Sequence, residues 1–172
     1  YIVSGDYSQI ELRLLAHLSQ DPTMIDGFKH NQDIHRRTAS EVFGIPFDEV
    51  TPEERSHAKA VNFGIIYGIS DFGLARNIGI SRPKAKEYID SYFKRYSTIH
   101  DYMNGLIAKA HETGLATTMF GRIRALPDIN NKNFTRRSFA ERTAMNTPIQ
   151  GSAADIIKLA MNAVQKALQS QH

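Results

Sequence analysis

The chain has 172 residues, 41% of them hydrophobic, enough for one buried core and, at about 100 to 200 residues per domain, for one domain. It contains no cysteine, which excludes disulfide frameworks and thiolate metal sites and leaves oxygen and imidazole as the available ligands. The net charge of +3 and pI of 9.2 are mildly basic, a balance also common in proteins that never touch nucleic acid.

No apolar run approaches the roughly 18 residues that span a bilayer, and no basic-then-apolar leader opens the chain. A soluble cytoplasmic protein without a membrane partner is expected. Tyr1 stands where an initiator methionine would be, and Gln169-Ser170-Gln171-His172 follow a helical pattern without a stop signal. Both ends therefore read as cut points in a longer protein.

Tyr1 to Val3 reads as a short apolar strand entering Gly5-Asp6-Tyr7, and Ser8 with Glu11 has the spacing of a capping box. A helix then starts near Gln9, with Ile10, Leu14, Leu15 and Leu18 on one face, and Asp21-Pro22 ends it. Met24 to Phe43 is helical with a break near His30-Asn31, and Gly44-Ile45-Pro46 is a loop. Thr51-Pro52-Glu53-Glu54 combines an N-cap, a proline at the first helical position and a glutamate at the third, predicting a helix to about Tyr67. Ser70 opens a short helix, Ser81 with Pro83 opens the next through about Tyr96, and Thr98 to Thr113 forms another that Gly114 stops. Thr117 to Phe120 and Ile123 to Leu126, either side of Gly121, predict a hairpin. Phe134 to Gln169 is helical, with a kink or restart expected at Pro148. The fold class is thus mainly α with a small β component.

On the helix opened by Thr51, the residues Arg55, Lys59, Phe63 and Tyr67 recur every fourth position. Each step drifts only about 40° around the axis, so two cations and two aromatics share a face. Cations suit a triphosphate tail, and a ring stacked on a base is worth ~1–3 kcal/mol. Taken alone, the same pattern also fits Phe63 and Tyr67 as core with Arg55 and Lys59 solvated. Arg142, Asn146 and Gln150 repeat the four-residue step and supply donors for minor-groove acceptors that every base pair offers; Asn146 equally fits a helix cap before Thr147-Pro148. Asp6 follows an apolar strand, as metal-binding carboxylates do, though a lone Asp at such a turn is also an ordinary turn former. Basic pairs at Arg36-Arg37, Arg82-Pro83-Lys84, Arg122-Ile123-Arg124 and Arg136-Arg137 suit either a phosphate backbone or plain solvated surface.

Read together, Asp6-Tyr7-Ser8-Gln9-Ile10-Glu11-Leu12-Arg13 and Arg55, Lys59, Phe63, Tyr67 and Gly68 resemble motifs A and B of family A DNA polymerases. The similarity continues through Asp33-Ile34-His35 and from Arg142 to Gly151-Ser152-Ala153-Ala154-Asp155, so it covers essentially the whole chain.

The resemblance implies the helical fingers and part of the palm: residues 1–20 as palm strand and motif A helix, 21–113 as fingers, and 114–172 as a return to an incomplete palm sheet. It implies Asp6 as a catalytic, metal-binding carboxylate with the Tyr7 carbonyl as a further ligand, for two Mg²⁺ ions in the complete enzyme. Glu11 resembles the gate that excludes a ribose 2′-hydroxyl. Arg55 and Lys59 would hold the phosphates of a deoxynucleoside triphosphate, Lys59 counting with Asp6 as catalytic. Phe63 would pack on base and sugar, Gln9 and His35 would add nucleotide contacts, and Tyr67 would sit at the templating position. Arg142, Asn146 and Gln150 would contact primer-template DNA.

The implied activity is template-directed addition of nucleotides to a primer 3′-hydroxyl in replication and repair. The family's second catalytic aspartate lies in a His-Asp-Glu motif that these residues lack; His111-Glu112 does not fit it. The 172 residues alone are therefore expected to be inactive and, with an exposed sheet edge, to self-associate. A non-catalytic nucleotide- or DNA-binding module is the alternative reading, with a structural helical adaptor as a third class.

Overall fold

The computed structural model describes residues 2 and 4–170. The expected strand at Tyr1 to Val3 falls mostly outside them; Ile2 is in no regular element and is fully exposed. The described residues are mainly helical, with one antiparallel two-stranded sheet, and fall into two compact units, Tyr1–Leu106 and Ile107–His172.

The first unit opens with α1 (Ile10–Ser19), which buries Leu12, Leu14, Leu15 and Ala16. The capping box expected of Ser8 and Glu11 does not form. Gln9 is the N-cap in a left-handed conformation (φ 55°) with no side-chain cap bond, and Glu11 turns to a partner described below. Asp21 caps α2 (Pro22–Lys29), its Oδ1 accepting from the Met24 amide at 2.9 Å. Its other oxygen accepts from the Thr98 hydroxyl at 2.5 Å, so the buried carboxylate is satisfied from two directions.

Asp33 caps α3 (Ile34–Phe43), and a 3-10 turn at Phe47–Glu49 leads to α4 (Pro52–Ile66). At α4 the predicted capping box is complete. The Thr51 hydroxyl accepts from the Glu54 amide at 3.2 Å, and the Glu54 carboxylate accepts from the Thr51 amide at 2.9 Å. One side of α4 buries Ala58, Val61, Ile65 and Ile66; Ala58 packs with Ala39 and Val50 under Phe43 and Ile45. α5 (Asp71–Ile78) and α6 (Arg82–Arg95) follow, capped by Ser70 and Ser81. α4 packs on α1, α3, α5 and α6, which makes it central to this unit.

α7 (Ser97–Thr113) contributes residues to both units. In the second unit, β1 (Leu115–Thr117) pairs with β2 (Ile123–Ala125), Ala116 opposite Arg124. The first strand ends three residues before the predicted Phe120. Thr118 turns its hydroxyl to Asp155 (2.8 Å), the Met119 amide bonds to Ser152 (3.0 Å), and Gly121 at φ 81° completes the reversal. α8 (Phe134–Gln169) is a single helix through Pro148, without the restart that proline suggests. Pro148 itself is buried, and neighbouring hydroxyls bond along the helix, Thr147 to the Thr143 carbonyl and Ser152 to the Pro148 carbonyl. Ala110, Ala116, Leu126, Ile129, Ala140 and Ala144 form the core of this unit.

Candidate functional site

The face predicted on α4 exists. Pro52 and the capping box fix where the helix starts, and steps of four then carry Arg55, Lys59 and Phe63 along one side, with Tyr67 as the C-cap residue. Arg55 is not merely solvated. Its Nε donates to Asp33 Oδ2 at 2.6 Å, while Asp33 Oδ1 accepts the amides of His35 and Arg36 at 3.0 and 3.1 Å. Partial burial works against ionisation of Asp33, but the Arg55 bond and the α3 amides outweigh it and hold the carboxyl below its ordinary value. Lys59 is exposed and has no ion-pair partner among the described residues.

Phe63 is half-buried, its ring centroid 5.9 Å from that of His35. His35 is itself 3% exposed. Asn62, fully buried beside Phe63, donates from Nδ2 to His35 Nδ1 at 3.1 Å and exchanges hydrogen bonds with the Thr38 hydroxyl at 3.0 and 3.2 Å. An imidazole that accepts at Nδ1 carries its proton on Nε2. Burial, reinforced by the charges of Arg55 and Lys59 and opposed by Asp33, lowers the His35 pKa from 6.5 to about 4, so the ring is neutral near pH 7. Asn62 was not singled out from the sequence; the available signal was an uncompensated amide inside the apolar run Val61 to Ile66.

At the far end of this face the Tyr67 hydroxyl donates to Glu11 Oε2 at 3.1 Å. Burial first, then the charge and hydrogen bond of Glu11, raise the phenol above its ordinary value, so it remains a donor. This bond joins residues 56 positions apart and brings the sequence motif on α1 to the motif on α4. A cleft of about 290 Å³ opens beside them, lined by Gln9, Arg13, Asn31, Gln32, Asp33 and Arg55 among others. Asp6 and Tyr7 are exposed on the irregular segment that leads into α1. The described residues contain no cluster of three or more His, Asp or Glu side chains arranged for a metal ion.

In the second unit, Asn146 and Gln150 line a cleft of about 440 Å³ together with Arg122, Arg124 and Gly151. Arg142 does not line it; its Nη1 bonds to Ser138 at 2.8 Å. The Asn146 amide nitrogen is buried without a hydrogen-bond partner, a cost that a ligand or water in the cleft would remove. Asn146 lies inside α8 and caps nothing, which removes the helix-cap alternative. Arg122 is committed internally, to Asp155 at 3.0 Å and to the Gly151 carbonyl at 2.9 Å. The other basic pairs are partly committed too: Arg37 to Asp26 and Glu41, Arg82 to Asp71, Lys84 to Glu87.

A family model described as DNA polymerase family A matches residues 1–172. The chain is 58% identical over 168 residues to a DNA polymerase I from Lactococcus lactis subsp. cremoris, covering 97% of this chain and 19% of that protein. It is 57% identical over 168 residues to a DNA polymerase I from Streptococcus pneumoniae serotype 4, with coverages of 97% and 19%. Among solved structures it is similar to the POL domain of Pol1 from M. smegmatis, in complex with DNA primer-template and dNTP. The TM-score there is 0.91 at 45% identity, over 96% of this chain and 29% of that one. The chain thus spans about one fifth of the length of the curated relatives it matches.

Proposed function

Because the chain belongs to DNA polymerase family A, we propose that its residues bind the incoming deoxynucleoside triphosphate and supply part of the catalytic palm of a DNA-directed DNA polymerase. The observation that carries this reading is the Tyr67–Glu11 hydrogen bond, which brings Glu11 of the Asp6–Arg13 segment against the end of the α4 face. Residues 1–20 and 114–172 are read as palm and 21–113 as fingers. The reaction is attack of a primer 3′-hydroxyl on the α-phosphorus of the triphosphate, with pyrophosphate leaving.

Each residue has a task that its surroundings support. Arg55, held by Asp33, and Lys59, exposed and uncommitted, bind the phosphates. Neutral His35 offers its Nε2–H to a phosphate oxygen, and Gln9 lines the same cleft as Arg55. Phe63 packs on base and sugar. Glu11, fixed by Tyr67, blocks a 2′-hydroxyl while Tyr67 occupies the templating position. Arg142, Asn146 and Gln150 contact the primer end and the template-primer minor groove; the unpartnered Asn146 amide and Gln150 share a cleft that suits this, whereas Arg142 bonds to Ser138 outside it.

Mg²⁺ usually takes one or two carboxylates and completes its shell with water and substrate phosphates. Asp6 and Tyr7 are both exposed residues, and the Asp6 carboxylate with the Tyr7 carbonyl would fit a share in one such ion. When bound, the metal neutralises charge on the transferring phosphate. With Asp6 as the one catalytic carboxylate read in these residues, the 172 residues alone are proposed not to polymerise. Exposed Ile157, Leu159, Met161, Val164 and Leu168 near the end of α8 support self-association of that isolated chain.

Single-nucleotide primer extension by the full-length protein, compared with its Asp6→Ala variant, tests the proposal. Loss of most activity with DNA binding retained is expected. Unchanged activity would remove Asp6 from the metal site and overturn this assignment, and no activity in either protein would favour a non-catalytic nucleotide- or DNA-binding module.

A further inference from the structure

Asp33 occupies an unusual junction. One carboxylate oxygen caps α3, which carries His35, and the other holds Arg55 in the first turns of α4. The Asp33 bond uses only Nε of the guanidinium, and neither terminal nitrogen of Arg55 has a hydrogen-bond partner among the described residues. A guanidinium anchored at Nε keeps a rigid fork of terminal donors for an oxyanion. Arg55 and Asp33 both line the cleft beside Gln9 and Arg13, so the anchored fork lies at a surface a phosphate can reach.

We infer that Asp33 is a positioning residue for nucleotide binding, acting through Arg55: it fixes the guanidinium so that the terminal donors are set for the triphosphate before it arrives. The inference rests on the phosphate-binding reading of Arg55 given above. Asp33 stays ionised across the neutral range because Arg55 and the α3 amides stabilise its charge. An arginine left unanchored must be ordered when ligand binds, and that ordering weakens affinity.

Asp33→Asn is the informative change, because it preserves a cap oxygen for α3 while presenting an N–H where Arg55 needs an acceptor. Asp33→Ser is the second variant, also a good cap but too short to reach Arg55. In steady-state nucleotide incorporation by the full-length protein, both variants should raise KM for the nucleotide roughly three- to tenfold. The value of kcat should stay within about twofold, and thermal unfolding should show the fold retained. On an Arg55→Ala background, which itself raises KM, the Asp33 changes should add nothing, since their effect passes through the missing guanidinium. An unchanged or lowered KM in the Asp33 variants, with Arg55→Ala still raising it, overturns the inference alone. So does an Asp33 effect that persists without Arg55. If Arg55→Ala leaves KM unaltered, the phosphate-binding reading of Arg55 fails and the inference fails with it.

Discussion

Acidification should destabilise this chain through His35, and the size of the effect follows from where the ring sits. The imidazole is 3% exposed, accepts a hydrogen bond from Asn62 and faces the cations Arg55 and Lys59, with Asp33 only partly compensating. Its pKa falls from 6.5 to about 4. At 1.36 kcal/mol for each pH unit, that places about 3 kcal/mol on keeping the ring neutral in the fold. Because the folded value is the lower one, the unfolded chain binds the proton first. The stabilisation is present above pH 6.5 and is lost as the pH falls toward 4. The assay is urea unfolding followed by circular dichroism at several pH values in that window, for the native chain and for His35→Gln. Other groups titrate in both proteins, so the difference between them isolates His35; that difference should shrink by about 3 kcal/mol from pH 7 to pH 4. Parallel stability curves would show that the folded chain accommodates an imidazolium at this position, and would refute the argument from burial.

Thr51→Ala removes half of the α4 capping box and should cost about 1 kcal/mol of stability, read by thermal unfolding; no change in midpoint would mean that Pro52 and Glu54 start the helix unaided. Gly151→Ala places a methyl 2.6 Å from Thr118 Cγ2, and Thr118 is tied to Asp155, so it cannot swing away freely. A loss of about 1–3 kcal/mol is expected from this overpacking, with faster amide exchange at Met119; native stability would show that the hairpin yields. His111 bonds to Asn130 at 2.7 Å and to Glu141 at 3.1 Å, contacts that raise its pKa above 6.5 despite some desolvation. This clamp should stabilise the second unit below the ordinary imidazole pKa and weaken as the pH rises through the raised value. An NMR titration giving His111 a pKa at or below 6.5 would contradict it.

The local chemistry of the chain was legible in one dimension. Thr51-Pro52-Glu53-Glu54 names a helix start because capping groups act within four residues, and Gly114 names a stop for the same reason. The spacing of Arg55, Lys59, Phe63 and Tyr67 determined that they would share a face, since helix geometry alone sets that angle. Where a second local option existed, tertiary contacts chose. Ser8 and Glu11 had the right spacing for a cap, but Glu11 instead accepts the Tyr67 hydroxyl. Thr118 had strand propensity but serves Asp155 at the turn. Pro148 reads as a break, yet α8 continues through it. The sequence by itself therefore determined the helices from α1 to α8, their order and which side chains share the α4 face. Only the tertiary structure decided that Asp33 anchors Arg55, that His35 is buried against Asn62 and stays neutral, and that Asn146 lines a cleft with its amide unpaired. The reason is physical: capping and periodicity act over a few residues, whereas these bonds join positions 22 and 27 apart, and burial depends on what packs alongside.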